Sequence, residues 1–343
     1  MALSKTCLQS LLFSRLPRPW HSDPRGPEAR ERFVFRAHRP VPEPRESAMG
    51  APILPTGIEP EDVDASQFYV EANSLRALDD PVVEQAALLA QLASEVWTVN
   101  CGGLLVARQL ATHHPEVLRP HLPSVIPALR KHMDALRSSL CKTALLCASD
   151  FFVAFGDELF KHLEDGTPSV MHVLLHKAAL AKPFLMDEAS RTLGVMIAKL
   201  DVDTLVEHFL LKRVGSKNDK VRATVAECLR VATDRRAIRT VMDENDDSSL
   251  SCIHTCRAEL LKAAAVFVND RQPGARENAR VLLQTLKRSF REFENDHDGD
   301  DENTGGNLND TATATTLAEK DPWTKHVEKT LGKSDGGKIC KLC

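Results

Sequence analysis

Ser138-Ser139-Leu140-Cys141-Lys142-Thr143-Ala144 opens an apolar helical stretch directly after a polar, basic turn, and the same arrangement returns three times. The further copies begin at Pro183-Phe184-Leu185-Met186-Asp187-Glu188-Ala189, Asp219-Lys220-Val221-Arg222-Ala223-Thr224-Val225 and Pro273-Gly274-Ala275-Arg276-Glu277-Asn278-Ala279. Their first apolar anchors, Leu140, Leu185, Val221 and Ala275, stand 45, 36 and 54 residues apart, and the widest interval holds the polar run Asp243 to Ser249. This is the period of stacked helix pairs, each of which buries its apolar face on its neighbours. The predicted fold is therefore all-α, an α-solenoid of about five helix pairs with disordered tails. Such a stack presents edges and faces and no interior cleft for a catalyst, so the sequence points to a binding protein and not to an enzyme.

Working outward, Asp80-Pro81 supplies a cap and a first-turn proline for a helix through Val82, Ala86, Leu89 and Leu92. A break is expected over Trp97–Gly103, then a helix carrying Leu104, Leu105, Ala107 and Leu110 to His113. The next pairs are expected at 120–133 with 138–155, 168–181 with 183–199, and 203–214 with 219–233. Asp243–Ser249 reads as a loop before the last pair, 250–269 with 273–293. The organisation predicted is an Arg/Pro-rich disordered tail over 1–60, a repeat domain over 61–293, and an acidic, mostly disordered tail over 294–343 in which Asp321-Pro322-Trp323 opens a short helix ended by Gly332. That helix carries Trp323, Val327 and Leu331 on one stripe, for docking on a partner or folding back onto the solenoid.

Composition agrees. Aromatics are 5% of the chain, as expected of helices packed through small and branched aliphatics. No window is expected to reach the ~20 apolar residues of a membrane span. The formal charge of −4 conceals a split: residues 1–48 carry nine Lys/Arg against five acids, and 294–343 carry eleven acids against six Lys. Nine cysteines, several at helical positions such as Cys141, Cys147 and Cys228, read as small buried side chains in a reducing compartment. Residues 1–22, with Lys5, Arg15, Arg18, several serines and no acid, have the composition of a transit peptide, but the prolines from Pro17 to Pro44 favour a plain basic tail, and Met49 offers an alternative start.

The candidate site lies in the turns inside each pair. They contain Trp97, then Arg137, Lys182, Lys217 with Lys220, and Arg271. In a solenoid these turns repeat along one edge, so the edge would carry an aromatic at one end followed by a row of cations. Cys252-Ile253-His254-Thr255-Cys256 lacks a second Cys/His pair at zinc spacing and reads as a helix face. Glu294, Asp296, Asp298 and Gly299 imitate a calcium loop, but its twelfth position is Gly305. Cys340-Lys341-Leu342-Cys343 fits a prenylation box only in form. No metal, nucleotide or other cofactor motif is present in the sequence.

Trp97-Thr98-Val99-Asn100-Cys101-Gly102-Gly103-Leu104, with Arg108-Gln109-Leu110 and His113-His114-Pro115, resembles the first repeat of TOG domains of the CLASP and crescerin type. Arg137-Ser138-Ser139-Leu140-Cys141-Lys142-Thr143-Ala144, ahead of Asp150-Phe151-Phe152 and Phe155-Gly156, resembles their second repeat, and Ser216-Lys217-Asn218-Asp219-Lys220-Val221-Arg222 their fourth. The resemblance spans about 80–292 and implies a HEAT-repeat, microtubule-associated domain of the cytoplasm and cytoskeleton. It implies binding of αβ-tubulin or microtubules, with Trp97 packing on β-tubulin and Arg137, Lys182, Lys217, Lys220 and Arg271 reaching acidic surface. Free dimer against lattice, cytoplasmic against ciliary microtubules, and self-association stay open. The competing readings are a helical scaffold for a different protein and an RNA-binding repeat; the latter calls for cations over a whole concave face and not along one edge.

Overall fold

The computed structural model describes residues 64–242, 247–297 and 321–342. The basic segment 1–60 and the Asp298-Gly299 part of the calcium-loop imitation lie outside them, as do the side chains of Cys252, His254 and Cys256. Among the described residues the chain is helical and has no strand. Five pairs stack in sequence. The first is α1 (Pro81–Leu92) with α2 (Trp97–His113), the second α3 (Leu122–Met133) with α4 (Ser138–Phe155), and the third α5 (Val170–Leu180) with α6 (Pro183–Lys199). The fourth pairs an irregular element over 202–213 with α7 (Asp219–Met242), and the fifth pairs α8 (Asp247–Val268) with α9 (Pro273–His297). A final hairpin, α10 (Pro322–Leu331) and α11 (Lys333–Cys340), follows.

Helix starts follow local chemistry. Asp80 Oδ1 accepts the Val83 N–H at 3.1 Å with Pro81 in the first turn, Ser169 Oγ caps α5 through His172 N at 3.2 Å, and Pro183 occupies the first turn of α6. Two expectations fail near the ends. There is no break over Trp97–Gly103: α2 begins at Trp97 and runs unbroken, and Gly103 is where α1 crosses it, a Cβ there standing 3.0 Å from Gln91 Cβ. Of the loop expected over Asp243–Ser249, Asp247 to Ser249 belong to α8, and 243–246 lie outside the described residues.

The core is continuous from pair to pair and is built of Leu, Ala, Val and Cys. The second helices stack on one another, α2 on α4, α4 on α6, and α7 on α9. Between pairs three and four the pattern changes. The first element of pair four is one α turn (Val202–Leu205), a π segment (Val206–Leu210) and a 3-10 turn (Leu211–Arg213), where the periodicity predicted one helix over 203–214. So α7 packs on α5 as well as on α6, and Arg235 of α7 donates to the carbonyls of Ile197 and Leu200 at the end of α6.

The stretch Ser138–Leu163 is long and apolar enough by composition to cross a bilayer, contrary to the expectation that no window would be, but 61% of its most apolar window is buried inside the solenoid. Its Asp150 there holds the buried guanidinium of Arg108 at 2.6 Å. The hairpin folds back onto the solenoid. Trp323, 1% exposed, meets Phe290 of α9 edge-on at 5.6 Å, Val327 and Ile339 are buried beside it, and Arg291 pairs with Asp321 at 3.8 Å. Gly332, at φ 82°, ends α10 as the sequence predicted.

Candidate functional site

In each pair a short turn delivers the chain into the second helix, and in pairs one, two, four and five the turn is closed from within by the fourth residue of that helix. In pair one Asn100 Nδ2 donates to the Ser94 carbonyl at 3.0 Å, six residues back, while Ser94 Oγ accepts the Val96 N–H at 3.1 Å. In pair four Arg222 occupies the same place and donates to Ser216 O at 2.8 Å and Lys217 O at 3.3 Å. In pair five Arg276 donates to Asp270 O at 2.8 Å and Arg271 O at 2.9 Å. Pair two uses Cys141, whose Sγ donates to Met133 O at 3.0 Å. These donors satisfy carbonyls that the turn would leave bare. Sequence reasoning missed them; the available signal was a polar side chain at the fourth helical position in repeats one, four and five.

With the turns fixed, the candidate residues project from them. Arg137, Lys182, Lys217, Lys220 and Arg271 are all exposed. Trp97 differs from its expected place, being the first residue of α2 and half-buried, not a loop residue with a free ring. The Phe68 ring meets it edge-on at 6.2 Å, and the Arg137 guanidinium lies over its face at 4.6 Å. Turn three joins turn two through Lys182 Nζ, which donates to Ser138 Oγ at 3.2 Å. The first three turns thus form one group in contact.

Turns four and five form a second group. Arg222 Nε meets Asp270 Oδ2 at 2.5 Å, with side chains 18% and 3% exposed, and Gln272 Nε2 donates to Asp219 Oδ2 at 2.7 Å. Burial pushes the Asp270 carboxyl up, but Arg222 and the Gln272 and Arg271 N–H groups outweigh it and hold the group below its ordinary value. Asn218 Oδ1 accepts from Lys220 N at 3.0 Å and Val221 N at 3.3 Å, capping α7. The run Lys217-Asn218-Asp219-Lys220-Val221-Arg222 is therefore a turn-building device in which Asn218, Asp219 and Arg222 face inward to neighbours and the two lysines are left to solvent.

The arrangement separates two kinds of cation. Arg222 and, at 2.6 Å from Asp150, Arg108 are neutralised by buried carboxylates, whereas Arg137 rests on an aromatic face that leaves its charge intact. The turns thus carry one shielded ring and five exposed cations, Arg137, Lys182, Lys217, Lys220 and Arg271.

Helix pairs stacked in sequence and joined by short inner turns define a helical-repeat domain. The chain belongs to the CLASP N-terminal family, whose model matches residues 105–296, and it is a TOG domain of the CLASP and crescerin type. It is 30% identical over 135 residues to the human TOG array regulator of axonemal microtubules protein 1, a match covering 39% of this chain and 8% of that protein. The mouse protein of the same name is 25% identical over 231 residues, 64% of this chain and 12% of the relative. The crescerin-like protein che-12 of Caenorhabditis elegans is 22% identical over 139 residues, 40% of this chain and 10% of the relative. The matched part is thus about a tenth of the length of these relatives.

Proposed function

We propose that this chain is a non-enzymatic, microtubule-associated protein that binds αβ-tubulin or the microtubule lattice through the intra-pair turn edge and so regulates microtubule dynamics or organisation. The observation that carries this reading is the Trp97–Arg137 pair at the head of the edge, followed by exposed Lys182, Lys217, Lys220 and Arg271. The names of the relatives, regulators of axonemal microtubules, support a cytoskeletal setting in which acidic tubulin is the partner. The repeat region, with the segment from residue 64 and the hairpin 321–342 packed on it, is the unit that binds.

Purified chain, gel-filtered with tubulin and co-sedimented with microtubules, tests the proposal. Each exposed ion pair contributes only ~0–1 kcal/mol, but together they create a field that salt screens over ~8 Å at physiological strength. Wild-type binding is expected to fall as salt rises, and a Lys217→Glu/Lys220→Glu/Arg271→Glu variant, reversed only at solvent-facing positions, to bind more weakly and with less salt dependence. A folded triple variant that binds like wild type across the titration removes tubulin from this edge and favours a scaffold for another protein.

A further inference from the structure

The segment ahead of the solenoid has no place in the repeat pattern, yet it runs the length of α2. At one end Phe68, 5% exposed, closes a 3-10 turn (Ala65–Phe68) against Trp97. At the other, after a second 3-10 turn (Ala72–Ser74), the Leu75 carbonyl meets His113 Nε2 at 2.9 Å, and the Arg76 carbonyl accepts from Gln109 Nε2 at 3.0 Å. Between them Tyr69 is half-buried, with Lys142 Nζ 4.4 Å from the centre of its ring. Tyr69 directly follows Phe68, which meets Trp97, and Lys142 lies in the second turn of α4, the helix whose cap residue is Arg137. The two cation–ring contacts are therefore neighbours.

Building on the tubulin reading, we propose that residues 64–76 belong to the binding edge: Tyr69 with Lys142 forms a second cation–aromatic pair beside Trp97 with Arg137, and the two pairs together grip an acidic protein surface. A carboxylate partner would fix a cation and cancel it, as Asp134 does Lys177 at 3.1 Å and Asp270 does Arg222. A ring face fixes the cation and leaves its charge for an incoming anion, so less side-chain freedom is lost on binding. Phe68 acts as a positioning residue, because its edge-on contact sets the Trp97 ring and, through the chain, the distance from Trp97 to Tyr69. Trp97 and Arg137 alone would hold one cation; the segment doubles the number at the end of the edge where the cationic turns begin.

The test uses the full chain and purified tubulin, with Tyr69→Ala, Tyr69→Phe, Phe68→Ala and Trp97→Ala compared by gel filtration or titration, and thermal melts as a fold control. Tyr69→Ala is expected to weaken binding about five- to tenfold, the scale of one cation–ring contact, and Tyr69→Phe to stay within about twofold because the ring remains. The chain has one tyrosine, so its near-ultraviolet titration reports Tyr69 alone. Burial, with Cys101 and Asp64, raises that hydroxyl above its ordinary 10.0, and Phe68→Ala is expected to move it back toward that value while weakening binding. If Trp97→Ala weakens binding and folded Tyr69→Ala does not, the segment is scaffolding only and the proposal is overturned. If neither does, the tubulin edge itself fails and takes the proposal with it.

Discussion

Asp270→Asn isolates the staple that joins the fourth and fifth turns. The substitution keeps the side chain's shape, and the amide oxygen can still accept the Gln272 N–H now held at 2.9 Å, but the charge opposite Arg222 Nε is gone. Removing one partner of a fully buried pair costs ~3–5 kcal/mol. Here Arg222 keeps 18% exposure and two carbonyl acceptors, so the loss should be nearer ~2 kcal/mol, the scale of a hydrogen bond to a charged group. For a folded unit of this size that corresponds to a melting shift of roughly 4–8 °C. The folded carboxyl lies below its ordinary 3.8, so its contribution is present above that value and lost as pH falls through the lower, folded one. Wild type and variant should differ fully at pH 6–7 and converge as pH drops below about 4. A double-mutant cycle with Arg222→Met, followed by urea unfolding, separates the pair from its surroundings. A melting point within about 1 °C of wild type at pH 7, or a gap that persists unchanged into acid, refutes the staple.

Two further outcomes follow from buried groups. Burial pushes the Glu227 carboxyl up to about 7, with Glu277 adding to it and Arg230 and Asn278 pulling the other way, so the folded state holds an extra proton between the ordinary 4.5 and that value and loses stability as pH rises through the window. Glu227→Gln should remove that slope and be the more stable form at pH 8 by up to ~3 kcal/mol, read by denaturation at pH 5 and 8; a slope that persists in the variant refutes the assignment. Trp323→Ala should cost the ~3–5 kcal/mol of a buried aromatic, more than a two-helix hairpin can lose, so amide protection should vanish over Pro322–Cys340 while the solenoid melts almost unchanged; a matching fall for the solenoid would show the two to be one cooperative unit.

The starts of α4, α6, α7 and α9 were legible because each has a strong local signal: a serine pair after a basic turn, Pro183, Asn218-Asp219, and Pro273. Asn100, Gly102 and Gly103 misled the reading of α2, because residues that break helices locally are used here to close a turn and to let α1 approach. The irregular element over 202–213 has a helical apolar pattern and breaks it for packing reasons that period alone does not carry. At the candidate edge the cations were legible as turn residues. Their sorting into exposed Lys217 and Lys220 and inward Arg222 was not, since it depends on Asp270, 48 residues away. The 64–76 segment was counted within the 61–293 repeat domain, but its packing along α2 was not legible because it has no helical period.

The hairpin at the far end makes the two ends of the molecule unlike. A stack of like units resembles a polymer, and a bare terminal unit is a growing tip. On pair five that tip is occupied: α10 lies against α8 and α9, where the first helix of a further pair would seat, with Trp323 as its plug. At the opposite tip α1 turns Val82, Val83 and Leu89 outward, 63%, 62% and 39% exposed. The stack therefore has a direction. The covered tip meets solvent through the hairpin's polar outer side chains, and the α1 tip meets it through aliphatic ones.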